Sequence, residues 1–121
     1  MRYRCLLVDD SARFVRSARR LLGREGVDVV AVAATRAEAI TAAGAAAVDF
    51  SLIDVQLAGD NGAAVADALA RRGVGGRIVL VSALDAEDVA ELVAGSAAVG
   101  FVAKAHLSRA AIERVLAGRP D

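Results

Sequence analysis

The sequence predicts a single α/β domain built on a parallel β-sheet with helices on both faces. Three observations predict it. Five short, nearly unbroken apolar runs recur along 121 residues. Segments of helical period separate them, and the side chains that carry chemistry stand at the ends of the runs. Such runs are strands covered on both faces, and their alternation with helices implies right-handed crossovers. A chain of this length forms one domain, able to bury roughly two thirds of its unfolded surface.

Strands are predicted at residues 4–8, 27–33, 50–53, 77–81 and 100–103. The first helix, 11–23, sets Phe14, Val15, Ala18, Leu21 and Leu22 on one stripe and Arg13, Arg16, Arg20 and Arg24 on another. Ser11 is its N-cap, and Gly23 or Gly26 its stop. Thr35 opens the second helix, with Glu38 three residues on as a capping box, and the helix runs to about Ala46. The third, 62–72, carries Val65 and Leu69 at a spacing of four. Helices at 86–94 and 107–116 complete five βα units, with Ser108 placed to cap the last. Gly118-Arg119-Pro120-Asp121 reads as a frayed end or the start of a linker.

Composition excludes several classes. Hydrophobic residues make up 56%, which rules out a disordered chain. The balance of 15 basic and 15 acidic residues gives no electrostatic case for nucleic acid or an anionic membrane. Aromatic content of 3% argues against base-stacking surfaces. No apolar run approaches the roughly 18 residues of a membrane span, and too few apolar residues follow the N-terminus for a signal peptide. The expected location is the cytoplasm. There the lone Cys5, mid-strand, reads as a small buried hydrophobe rather than a nucleophile.

Asp9 and Asp10 close the first apolar run, Asp54 the third and Ser82 the fourth, and Lys104 follows the fifth. In an open parallel sheet the strand carboxyl ends share one edge, and ligands bind in the crevice outside it. Helix capping accounts for one aspartate of the pair and leaves the rest clustered. Neighbouring carboxylates repel by roughly 1 to 4 kcal/mol depending on screening. A divalent cation removes that repulsion, and an oxygen-only ligand set favours Mg2+. A carboxylate beside Mg2+ and a lysine is also a nucleophile able to accept a phosphoryl group, with the Ser82 hydroxyl available as a donor to its oxygens.

Four motifs, Val8-Asp9-Asp10-Ser11, the segment from Asp54-Val55-Gln56 to Gly62, Val81-Ser82-Ala83 and Gly100-Phe101-Val102-Ala103-Lys104, occur in this order. On them the whole chain, 1–121, resembles the receiver domains of two-component response regulators, in particular those that precede helix-turn-helix domains in transcription regulators. The resemblance implies a flavodoxin-like, doubly wound five-stranded parallel sheet of order 2-1-3-4-5 with five helices. It implies Asp54 as phosphoacceptor, Mg2+ held directly by Asp10 and Asp54, through water by Asp9, and by the backbone carbonyl of Gln56. Ser82 and the Ala83 amide would hold phosphoryl oxygens, Lys104 would pair with the group, and the Phe101 rotamer would follow Ser82.

The same resemblance implies a sensor histidine kinase or phosphotransfer domain as donor. It also implies a switching α4-β5-α5 surface, formed by the fourth helix, fifth strand and fifth helix. That surface is expected to include Ala90, Val93, Ala97, Ala98, Val99 and Ala111, either as a homodimer or partner contact or as core and surface filler. A DNA-binding effector domain would lie outside this chain, and a stand-alone regulator is the alternative. The domain would modify and demodify its own Asp54 and turn over no separate substrate, so it is not an enzyme in the ordinary sense. A receiver-like module without phosphorylation is disfavoured by the intact acid cluster. An aspartyl-nucleophile phosphatase is disfavoured because Gln56 stands where its second acid would be.

Departures from the family pattern carry their own expectations. Leu57-Ala58 replaces Met-Pro, which frees a fixed φ and predicts a more mobile loop. Ala105 replaces proline, which disfavours a cis bond after Lys104 by about 2.5 to 4 kcal/mol. Phe101 has no hydroxyl and can switch only through packing. Gln56 can orient water while Leu84 shields the phosphoryl group, so slow self-dephosphorylation is expected. The arginine stripe is either a solvated face, the commoner case, or a kinase-docking surface. His106 reads as uninvolved.

Overall fold

The computed structural model describes residues 2–83 and 86–118, with the side chains of 86–88 outside the description. Five parallel strands form the main sheet: β1 (Tyr3–Val8), β2 (Val27–Ala33), β3 (Phe50–Asp54), β6 (Arg77–Ser82) and β7 (Gly100–Ala103). Their order, β2-β1-β3-β6-β7, is the flavodoxin-like 2-1-3-4-5 order. Between β3 and β6 the chain makes an antiparallel hairpin of two-residue strands, β4 (Gln56–Leu57) and β5 (Asp60–Asn61). The helices are α1 (Ala12–Arg24), α2 (Arg36–Ala45), α3 (Gly62–Arg71), α4 (Ala86–Ala94) and α5 (Arg109–Leu116).

Strand alternation splits the core in two. Cys5, Leu7, Phe50, Leu52, Val79 and Val81 point to one side, where they pack with Ala18 and Leu22 of α1 and Ile112 and Val115 of α5. Leu6, Val8, Ile53, Ile78 and Leu80 point to the other, where they meet Ala39 and Ala43 of α2 and Val65 and Leu69 of α3. Every strand residue of β3 is buried, as an interior strand of a doubly covered sheet must be. Within it the polar Ser51 donates to the Gly75 carbonyl at 2.7 Å.

The helix starts follow the capping signals. Ser11 Oγ accepts from Phe14 N–H, Thr35 Oγ1 from Glu38 N–H and Ser108 Oγ from Ala111 N–H. Glu38 closes the reciprocal half of its box on the amide of Ala34, one residue before the cap. The last helix begins at Arg109 rather than 107, because Ser108 caps it and residues Lys104–His106 form a 3-10 turn. Leu21, expected on the buried stripe of α1, is 37% exposed.

The segment after β3, which lacks proline, forms the β4–β5 hairpin, which turns at Gly59 with φ 74°. Ala98 and Ala111, expected on the α4–β7–α5 face as contact or as core and surface filler, are buried, while Leu92 of α4 and Val99 are the exposed large apolar residues there. No cis peptide occurs among the described residues, so the Lys104–Ala105 bond is trans. Leu84 and residues 119–121 lie outside the described residues.

Candidate functional site

Register brings the strand ends together. Val8 pairs with Ile53, so Asp9 and Asp54 emerge side by side from β1 and β3. Asp54 lies opposite Val81, and Ser82 opposite Ala103, the residue before Lys104. Asp9, Asp54 and Ser82 are buried at 3%, 7% and 1% exposure, while Asp10 is exposed at the rim.

Oxygens of Asp9, Asp10 and Asp54 lie within 4.8 Å of one another. Lys104, the chain's one lysine, reaches in from the end of β7. Its Nζ stands 2.9 Å from Asp9 Oδ2 and 3.2 Å from Asp54 Oδ2, and 4.3 Å from the centroid of the Phe14 ring. The ammonium is thus held between two carboxylates and an aromatic face. The Phe14 contribution was masked in the sequence by its place on the apolar stripe of α1.

Each acid also has a local partner. Asp9 Oδ1 accepts from Ser11 N–H at 2.8 Å, so Asp9 orders the turn while Ser11 itself caps α1. Asp10 Oδ2 accepts from Ala58 N–H at 2.8 Å, and Asp54 Oδ1 from Gln56 N–H at 3.2 Å. Gly62 presses against the Asp54 backbone so closely that a Cβ there would overlap the Asp54 carbonyl oxygen.

Electrostatics follow from this crowding. Burial pushes the Asp54 carboxyl above its usual range, opposed by the Gln56 amide; Asp9 raises it further and Lys104 pulls it down. Burial alone would depress Lys104, but its pairing with Asp9 and Asp54 outweighs this and raises it. The site fits a hard divalent cation. All its donors are oxygens, and Asp9 Oδ2 is buried without a well-directed hydrogen bond even though the Lys104 ammonium lies close by. Among the described residues, Asp9, Asp10 and Asp54 form the metal-competent acidic cluster.

The other sequence candidates differ in exposure and place. Ser82 is buried beside it and Ala83 is exposed at its lip. Gln56 is exposed on β4, and Phe101 is half-buried against the α2/α3 side of the core. Arg13, Arg16, Arg20 and Arg24 all face solvent, as does His106. Cys5 is fully buried, and burial pushes its thiol up to about 12.

Known proteins resemble this arrangement. The model of the response regulator receiver domain matches residues 5–116. The nitrate/nitrite response regulator protein NarP of Escherichia coli (strain K12) is 30% identical over 96% of this chain, which spans 54% of that protein, about half its length. A two-component response regulator of the LuxR family from Aurantimonas sp. SI85-9A1 superposes with a TM-score of 0.86 at 30% identity, covering 98% of this chain and 88% of that one. The signal receiver domain of the response regulator NarL from Mycobacterium tuberculosis gives 0.80 at 28% identity, with 96% and 94% covered. No described helix is long and apolar enough to cross a membrane.

Proposed function

The chain belongs to the response regulator receiver domain family, and we propose that it accepts a phosphoryl group on Asp54 from a sensor histidine kinase or phosphotransfer domain. The observation that carries this reading is the convergence of Lys104 on Asp9 and Asp54, beside the oxygens of Asp10. An Asp54 oxygen attacks phosphorus as the bond from phosphorus to the donor imidazole breaks. The imidazole keeps that electron pair, and an acyl phosphate remains on Asp54.

The residues that would hold Mg2+ are Asp10, Asp54 and the Gln56 carbonyl, with Asp9 acting through water. When bound, the ion offsets charge on the transferring oxygens. Lys104, already 3.2 Å from Asp54, would pair with the phosphoryl oxygens. Ser82 and the Ala83 amide would donate to them, and Phe101 would repack as Ser82 moves. Phosphorylation adds about −1.5 to −2 charge at Asp54. It shifts population toward a state with a repacked α4–β7–α5 face only through its stronger interaction with that state. Leu92 and Val99 on that face are the candidates for a homodimer contact. The output is transcriptional, through a DNA-binding effector domain outside this chain, in line with the length of the curated relative.

Incubation with acetyl phosphate and Mg2+, read by intact-mass spectrometry, tests the reading. The wild type gains one phosphoryl mass and Asp54→Asn gains none. An unmodified wild type under these conditions, or a phosphate retained by Asp54→Asn, contradicts it.

A further inference from the structure

The β4–β5 hairpin carries Gln56, yet its own sequence does little to fix its shape. Residues 56–61 contain no proline and turn at a glycine of positive φ. The hairpin is held from outside. Arg36, the first residue of α2, grips Asp60 with both prongs of its guanidinium: Nε lies 2.8 Å from Oδ2 and Nη2 2.7 Å from Oδ1. Asp60 Oδ1 also accepts from Asn61 N–H at 2.8 Å. Asp60 pairs with Leu57 and Asn61 with Gln56. The gripped strand is therefore the direct partner of the strand that bears Gln56. At the turn, Ala58 N–H donates to Asp10 Oδ2.

We propose that Arg36 and Asp60 form a clasp that, through the hairpin, positions the Gln56 carbonyl and the Asp10 carboxylate for a divalent cation. Arg36 is then a positioning residue of a site to which α2 contributes no ligand. This rests on the metal-dependent reading given above. A two-pronged guanidinium grip fixes direction as well as distance, which a lysine at the same place would not do. Its worth to global stability is small, because exposed ion pairs contribute little. Its effect falls on the geometry of the ligands.

Charge alone predicts the opposite sign. Arg36 is itself a cation, so its loss would tighten Mg2+ binding if it acted only through its field. The clasp predicts weaker binding. The whole domain is titrated with Mg2+ by calorimetry as wild type, Arg36→Gln, Arg36→Lys, Asp60→Asn and the Arg36→Gln/Asp60→Asn double variant. Each single variant weakens Mg2+ affinity about three- to tenfold, with Arg36→Lys failing to rescue. The double variant is no weaker than the worse single one, since both remove one interaction. Amides of residues 57 and 61 exchange faster in Arg36→Gln while the metal-free melting temperature moves by no more than about 5 °C.

Unchanged or tighter Mg2+ binding by Arg36→Gln, or unchanged exchange at residues 57 and 61, overturns the clasp while leaving the metal site intact. A wild type that binds no Mg2+ overturns the metal reading itself, and the clasp with it. Arg36→Lys keeps the charge and tests the same geometry should Arg36→Gln fail to fold.

Discussion

Lys104 Nζ lies 3.2 Å from Asp54 Oδ2 across 50 residues of sequence, and the same ammonium lies closer still, at 2.9 Å, to Asp9. The lysine supplies positive charge to two buried carboxylates. It is therefore a resident cation, and a competitor for any divalent ion that would use the same oxygens.

Removing that charge costs stability in the metal-free protein. Lys104→Met is expected to lose about 1 to 3 kcal/mol in urea unfolding, less than a fully buried pair would because the side chain is partly exposed. Saturating Mg2+ recovers more stability in the variant than in the wild type, since the ion no longer displaces a resident ammonium. An equal Mg2+ gain in both proteins would contradict the competition.

Neutralising Asp54 has the opposite effect. Burial and the neighbouring Asp9 hold Asp54 above its ordinary range. Between its ordinary and its raised value the folded chain keeps a proton that the unfolded chain has released. Stability from this group is therefore present at low pH and lost as pH rises through that window. Asp54→Asn is accordingly expected to be more stable than wild type at neutral pH without metal, by on the order of 1 kcal/mol. The gap should narrow as pH falls through the carboxylate range. Denaturant midpoints at several pH values measure it.

Gly62 is held for space rather than for turn conformation. Gly62→Ala puts a methyl into the Asp54 carbonyl, so the start of α3 must shift, at about 1 to 3 kcal/mol. Because Gly62 N–H donates to the Val55 carbonyl at 2.8 Å, the shift reaches the segment between Asp54 and Gln56. Thermal melts and acetyl phosphate labelling rates should both fall. A variant that melts and labels like wild type would show that the backbone has slack there.

The Cys5 thiol, raised from 9.0 to about 12 by burial, makes stability fall at alkaline pH. Between those values the unfolded chain releases a proton that the folded chain retains, which costs up to about 1.4 kcal/mol per pH unit. Cys5→Ala should flatten this part of the stability profile relative to wild type. At pH 8 the native thiol should react with a disulfide reagent only as fast as the protein opens, and a rapid reaction under native conditions would refute its burial.

The five main strands and five helices were legible in the sequence because each declares itself locally. Doubly covered strands are continuous apolar runs, and Ser11, Thr35 and Ser108 each precede a helical period with an oxygen that can accept an amide. The β4–β5 hairpin was not legible. Two-residue strands have too few side chains to show a period, and this one is fixed by Asp10 and Arg36, far from it in sequence. Nor did the small residues of the α4–β7–α5 face reveal which were buried, since alanine fits either side of a boundary.

By itself the sequence determined the order of elements and which side chains stand at strand ends, because backbone caps and apolar periodicity act within a few residues. It also set an acidic cluster at one edge, since a parallel sheet puts all its carboxyl ends together. Only the tertiary structure decided how those groups pair: Lys104 with Asp9 and Asp54, Phe14 over the ammonium, Arg36 on Asp60. Such pairings depend on strand register and helix placement to within an ångström. No local pattern encodes these, because they emerge when two separate cores close on the two faces of the sheet.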